Sequence, residues 1–197
     1  MTESVQNRIE NKIKSMKKGS IIFPSNFDDF GNVEAVKKSL LRLKNKKFLV
    51  RLAHGIYLYP KQDKLLGVLY PSIEDIANAI AERDKARIIP TGIKALNQLG
   101  LSNQIPMNII FLTDGTARTI VVGKRTLKFK RTTPKNLAVK GEITSLVIQA
   151  LKEIGKDNIT DEQLNRIKNH LKLEKKENIE HDIKLAPAWI AEIMKDN

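Results

Sequence analysis

The sequence predicts an α+β protein in two parts, residues 1–61 and 62–197. Three observations predict it. Apolar residues first recur at helical spacing and then switch to a two-residue period just before residue 61. Beyond that point short β-like runs alternate with helical stripes, and helical stretches dominate the end. The basic residues are also unevenly shared: residues 1–61 hold 13 Lys/Arg against 5 Asp/Glu, residues 62–197 hold 22 against 17.

In the first part Val5, Ile9, Ile13 and Met16 lie at spacings of four, four and three, one face of a helix. Lys17 and Lys18 are expected in its last turn, at the negative end of the dipole, with Gly19 as a left-handed cap. Ile21-Ile22-Phe23 is a short β-like run stopped by Pro24. Ser25 is expected to cap a brief second helix that closes at Gly31. Asn32 caps a third, whose apolar positions are Val33, Val36, Leu40 and Leu43. Lys38, Arg42 and Asn45 lie opposite that stripe, flanked by Glu34 and Lys46. After Lys47 the period becomes two. Residues 48–52 read as a strand, Ala53-His54-Gly55 as a turn and residues 56–59 as the returning strand. Three short helices followed by a β-hairpin describe a winged helix-turn-helix.

A recognition helix needs an apolar back to dock on its neighbours and a polar front to reach base edges and phosphates. Lys38 and Arg42 suit guanine O6 and N7 or phosphate, and Asn45 suits adenine. Arg51 and His54 are expected near the wing tip, at the DNA backbone or minor groove. The plainer alternative is a solvated basic helix beside an ordinary hairpin, with His54 simply a turn residue. Glu34 would repel phosphate, so it is either a helix-start charge or a reader of cytosine.

Composition excludes several classes. The 197 residues include no cysteine, so there is no disulfide scaffold, thiolate zinc site or thiol nucleophile. His54, His170 and His181 are too far apart in sequence to form a local metal pair. The longest apolar runs are only a few residues, and the first residues carry no apolar leader, so a cytoplasmic protein is expected. At 41% hydrophobic the chain can bury a core. A net charge of +13 and a pI of about 9.8 point to a polyanionic partner, most often nucleic acid.

The second part is expected to be a mixed α/β domain with a small, mostly antiparallel sheet and C-terminal helices. Ser72 and Asp75 form a shortened capping box ahead of the stripe Ile73, Ile76, Ala77 and Ile80. Strands are expected at 87–89 and 108–113, and a hairpin at 119–122 and 126–129 around Gly123-Lys124. Thr91 is placed as the cap of a short helix ending at Gly100. Longer helices are expected over 142–154 and from Thr160 to about Leu171, and a last short one at Trp189. Catalytic constellations are scarce. After Asp114 the next acidic residue is Glu142, which breaks the acidic pattern of a restriction-type nuclease. There is no glycine-rich phosphate loop. Ser72 and Ser102 have no nearby histidine, and Asp75 and Glu82 read as a solvated helix face. The chain is expected not to be an enzyme and to need neither metal nor cofactor.

From Arg118 to Lys140 there are eight basic residues and no acidic one. Alternation sends Leu127 and Phe129 inward and Lys128 and Lys130 outward. With Lys124 these form a possible second basic surface, fit to extend a DNA contact, dock an RNA or meet an acidic protein. The competing expectation is an edge strand studded with lysine against aggregation.

The run Ala35-Val36-x-x-Ser39-Leu40-x-Arg42-Leu43, with Arg51-Leu52-Ala53-His54-Gly55-Ile56-Tyr57-Leu58-Tyr59-Pro60, resembles the winged helix of AbiEi-type antitoxins. The resemblance extends through Pro90-Thr91-Gly92, Ala95-Leu96-Asn97-Gln98-Leu99-Gly100-Leu101-Ser102, Gln104-Ile105-Pro106 and Leu112-Thr113-Asp114-Gly115. It spans roughly Val5 to Ile154, and the block from Pro90 to Gly115 is its distinctive part. It implies a DNA-binding antitoxin and transcriptional autorepressor of a two-gene toxin–antitoxin or phage-defence operon. The winged helix would repress the operon, and the second domain would neutralise a nucleotidyltransferase-like toxin, directly or indirectly. DNA contact carries over to Lys38, Arg42, Asn45, Arg51 and His54, with double-stranded operator DNA as partner and a homodimer on it as one arrangement. The resemblance assigns no residue of the second part individually. The main rival is a stand-alone repressor whose second domain senses a small molecule, with an apolar pocket near Leu96, Ile110 and Phe111. A more distant rival, an RNA-binding protein, is weakened by an aromatic content of 5%.

Overall fold

A computed structural model describes residues 3–104 and 106–195. Ile105, part of the resemblance at Gln104 to Pro106, lies outside the described residues. The chain divides into two compact units: one runs to Ala79 and takes in Val121–Gly123, the other comprises Ile80–Ile120 and continues from Lys124. The protein is α+β with small sheets. None of the described helices is long and apolar enough to cross a membrane.

In the first unit Ser4 caps helix α1 (Val5–Lys14) by accepting from the Asn7 amide at 3.2 Å. Ile9 and Ile13 are fully buried, as their spacing predicts. The helix stops short of Lys17 and Lys18, so they are not its last-turn bases; Lys12 and Lys14 are. The reason lies downstream. Gly19, at φ +97°, donates to the Tyr59 carbonyl at 2.7 Å, which commits the preceding residues to a turn into strand β1 (Ile21–Ile22). A 3₁₀ stretch (Pro24–Phe30) follows. Its N-cap is Phe23 rather than Ser25, because the Asn26 side chain accepts the Phe23 amide at 2.8 Å.

Asn32 caps α2 (Val33–Asn45) as expected, its carboxamide oxygen accepting from the Ala35 amide at 2.8 Å. Val36, Leu40 and Leu43 are buried, but Val33 is 57% exposed and is not a core position. Ser39 is buried within that face and donates to the Ala35 carbonyl at 2.7 Å, so its hydroxyl is not left unpaired there. The next strand, β2 (Val50–Ala53), begins later than its alternation suggests. The amides of Phe48 and Leu49 both donate to the Leu43 carbonyl, and Lys47 takes φ +59°, so these residues close the helix first. Strand β3 (Ile56–Leu58) lies between β1 and β2 in an antiparallel sheet, with a bulge between Arg51 and Ala53. Ile9, Ile13, Ile22, Phe27, Val36, Leu40, Leu43, Leu49 and Tyr57 form the core of this unit. Each such buried aliphatic contributes about 1.5–3 kcal/mol.

A separate hairpin, β4 (Lys61–Asp63) and β5 (Gly67–Leu69), is not anticipated by periodicity. Asp63 accepts from the amides of Leu65 and Leu66 at 2.8 and 3.0 Å and holds its tip. Helix α3 (Ile73–Arg83) then starts on a capping box: Ser72 donates to the Asp75 carboxylate, and the Asp75 amide donates back to the Ser72 hydroxyl at 3.0 Å.

In the second unit β6 (Ile88–Pro90) precedes α4 (Ile93–Gln98). Thr91 does not cap α4, because its amide donates to the Ile110 carbonyl and extends the strand pairing; Gly92, at φ +61°, is the turn into the helix. Strands β7 (Asn108–Thr113), β8 (Arg118–Val122) and β9 (Arg125–Arg131) complete a sheet of order β6-β7-β9-β8. Its central pair, β7 and β9, is parallel, whereas β6 joins β7 antiparallel, so the small, mostly antiparallel sheet that was expected carries a parallel pair at its centre. Here β8 returns at the outer edge and lets β9 run alongside β7. Helices α5 (Pro134–Leu137), α6 (Glu142–Ile154), α7 (Asp161–Leu171), α8 (Lys176–Asp182) and α9 (Ala188–Lys195) follow. Val147, Ile148, Ala150 and Leu151 of α6 pack with Ala95, Leu99, Ile167, Leu171, Ile190 and Met194.

The N-terminus of α6 is held by carboxylates from far along the chain. Asp182, fully buried, accepts from the amides of Lys140 and Gly141, both at 2.9 Å, from the Thr144 hydroxyl, and from His181 Nδ1 at 2.8 Å. Glu174 accepts from the Ile143 amide at 2.9 Å.

Candidate nucleic-acid interface

The side chains expected to touch DNA fall into two groups within the first unit. Lys38, Arg42 and Asn45 are exposed along the outer face of α2, because the inner face is spent on Val36, Leu40 and Leu43. Among the described residues no ion pair engages the side chain of Lys38 or Arg42. Their neighbour Lys37 pairs with Glu34 at 3.4 Å, which answers the one negative charge on that face from within the helix. Leu41, which charge-based reading passes over, is 44% exposed in the same region.

Arg51 and His54 belong to the β2–β3 hairpin. Arg51 is exposed while Leu52 beside it is buried, and its Nε donates to the Ala53 carbonyl at 3.3 Å. That bond holds the guanidinium along the turn. His54 is exposed next to Gly55, whose φ of +68° makes the tight reversal possible. A bulge beside such a turn raises the local twist and re-aims side chains.

The strip from Arg118 to Lys140 belongs largely to the second unit. In β9 Leu127 and Phe129 are buried and Lys128 and Lys130 exposed, as alternation predicts; Lys124 is exposed in the turn before it. The edge-strand expectation fails, because β9 is an interior strand between β7 and β8. Its lysines therefore stand over paired backbone, with Lys128 opposite Ile110 and Lys130 opposite Leu112. Some cations of the strip are already engaged. Arg118 is ion-paired to Asp84, which also binds Arg83 at 2.8 Å, and it lies 5.4 Å from the centre of the Phe129 ring. Burial, and then the Arg83 charge, lower the Arg118 pKa from its ordinary value. Arg131 donates to the Gly115 carbonyl at 3.5 Å.

Two clefts line the junction of α4 and α7. One, of about 530 Å³, is bordered by Asn97, Gly100, Arg166, His170 and Leu173, the other, of about 320 Å³, by Ser102, Thr160, Gln163 and Arg166. Two of their polar side chains already tie these elements together: Arg166 donates to the Gly100 carbonyl at 2.9 Å, and His170 Nε2 bonds the Leu99 carbonyl at 3.0 Å. Neither cleft includes Ile110 or Phe111. Among the described residues no three His, Asp or Glu side chains converge as metal ligands would.

No curated protein matches the chain at a significant level. Residues 8–179, most of its length, match DUF6088, a family of unknown function, and the chain belongs to that family.

Proposed function

We propose that the first unit is a winged-helix DNA-binding module, and that the chain is an antitoxin and transcriptional autorepressor of an AbiE-like toxin–antitoxin operon. The observation that carries the DNA reading is the outer face of α2. Lys38, Arg42 and Asn45 stand there on a helix whose other face is anchored in the core, and among the described residues no carboxylate pairs with the two cations. Such an arrangement contributes affinity first through phosphate neutralisation and then through base contacts. Arg51, in strand β2 opposite Tyr57, and His54, at the hairpin turn, supply the flanking backbone contact of a wing. One module covers a short site, so the operator is bound by a homodimer or at several sites.

The antitoxin reading is supported by the resemblance of the block Pro90 to Gly115 to AbiEi-type antitoxins. In it the second unit neutralises a nucleotidyltransferase-like toxin encoded beside it, in the cytoplasm, without catalysis, metal or cofactor of its own.

Two measurements test the two halves. The full chain is titrated against duplexes from upstream of its own gene, beside the variant carrying Lys38→Ala and Arg42→Ala. Loss of sequence-selective binding in the variant is expected; equal affinity of the two proteins removes α2 as the recognition helix. The chain is then co-expressed with the neighbouring gene. Rescue of growth is expected, and a toxic neighbour that the chain does not counteract overturns the antitoxin half.

A further inference from the structure

The cationic face of α2 contains one residue that charge does not explain. Leu41 is 44% exposed, whereas Leu40 and Leu43 on either side of it are fully buried. Its helical neighbours at i−4, i−3 and i+4 are Lys37, Lys38 and Asn45, so it sits within the polar arc rather than at its border with the core. A single exposed leucine elsewhere on a protein surface needs no explanation. This one stands among the groups that would face base edges, on a helix whose other face is buried in the core.

Lysine and arginine on phosphate carry no sequence information, and even at guanine they select only one kind of base pair. The major groove presents one apolar group, the C5-methyl of thymine. A leucine between a lysine and an asparagine offers that methyl a dry contact, while its neighbours satisfy the polar edges around it. The geometry points to Leu41 as a specificity-determining residue that selects thymine by packing on its methyl group. This inference rests on the DNA-binding reading of α2 and adds a base preference to it.

The test uses the full chain and duplexes that the wild type selects from a randomised library of about 20 base pairs. Each thymine of the selected sequence is replaced in turn by deoxyuridine, which removes only the methyl. At one or two positions the replacement is expected to weaken wild-type binding about fourfold, the worth of one buried methyl group at about 0.8 kcal/mol. The Leu41→Ala variant is expected to bind thymine and deoxyuridine equally there, with its salt dependence unchanged because the phosphate contacts remain. Alanine at an exposed helical position preserves the helix, and an unchanged circular dichroism spectrum checks this. Wild-type binding that ignores the methyl at every thymine, or a Leu41→Ala variant that keeps the discrimination, overturns the inference while DNA binding stands. If no duplex binds at all, the DNA-binding reading fails and the inference goes with it.

Discussion

Replacing Asp182 by alanine is expected to destabilise the second unit by about 1.3–4 kcal/mol, a figure that follows from what each of its four donors can do afterwards. The Lys140 amide and the His181 ring belong to residues that reach solvent, so both recover water. The Thr144 hydroxyl is buried, but the Gly141 carbonyl lies 3.0 Å from it as an alternative acceptor. The Gly141 amide, in a buried residue, is left with nothing, at a cost of about 1–3 kcal/mol. Losing a carboxylate from the positive end of α6 adds about 0.3–1 kcal/mol, and more where the site is enclosed. Asp182→Asn keeps the volume and one acceptor and is expected to cost about half as much. Trp189, the single tryptophan, packs against the core that α6 anchors, so its fluorescence during urea unfolding reports on this unit. A cost below about 1 kcal/mol for Asp182→Ala at pH 7 would refute the reasoning, since it would mean that the Gly141 amide finds another partner.

The same carboxylate sets a pH dependence. Burial pushes the Asp182 carboxyl up, but the hydrogen bonds from Thr144, His181, Lys140 and Gly141 outweigh it and hold the pKa below its ordinary value. A pKa lower in the folded than in the unfolded chain gives stability that is complete above the usual carboxylate range, about 3.9, and is lost as pH falls through the folded value. The gap between wild type and Asp182→Ala is therefore expected to narrow below about pH 4. Glu174 is shifted in the same direction: burial raises its pKa, and bonds from Asn178 and from the amides of Lys175, Ile143 and Thr144 together lower it by more. It adds to the acid limb of both proteins, so the difference between them isolates Asp182.

Two further outcomes follow from exposed cations. If Lys38 and Arg42 lie on phosphates, the double alanine variant lowers the slope of log affinity against log salt by about one for each phosphate no longer neutralised, measured by titration between about 50 and 200 mM salt. An unchanged slope means that neither is at the DNA backbone. Lys128→Gln with Lys130→Gln is expected to change unfolding free energy by less than about 0.5 kcal/mol, because both side chains project from an interior strand into solvent. A larger change in urea unfolding would show that the two lysines have a structural role.

The sequence by itself determined what depends on a few neighbouring residues. The Asn32 cap and the extent of α2 behind it, the Ser72–Asp75 box, strand β7 and helix α6 were all legible, because a cap bonds three residues ahead and a period shows within one element. The division of α2 into a core face and a cationic face was legible for the same reason, which is why Lys38, Arg42 and Asn45 stand out together. Tertiary structure decided the rest. Gly19 meets Tyr59 and ends the turn after α1; Thr91 meets Ile110 and is taken from the helix it was expected to cap. The parallel pairing of β7 with β9 depends on where β8 is placed. Asp182 reaches an amide 41 residues away, and nothing near it in sequence marks it as a helix cap. In each case a backbone donor or acceptor had more than one partner within reach of the chain, and burial selected the partner that left it paired.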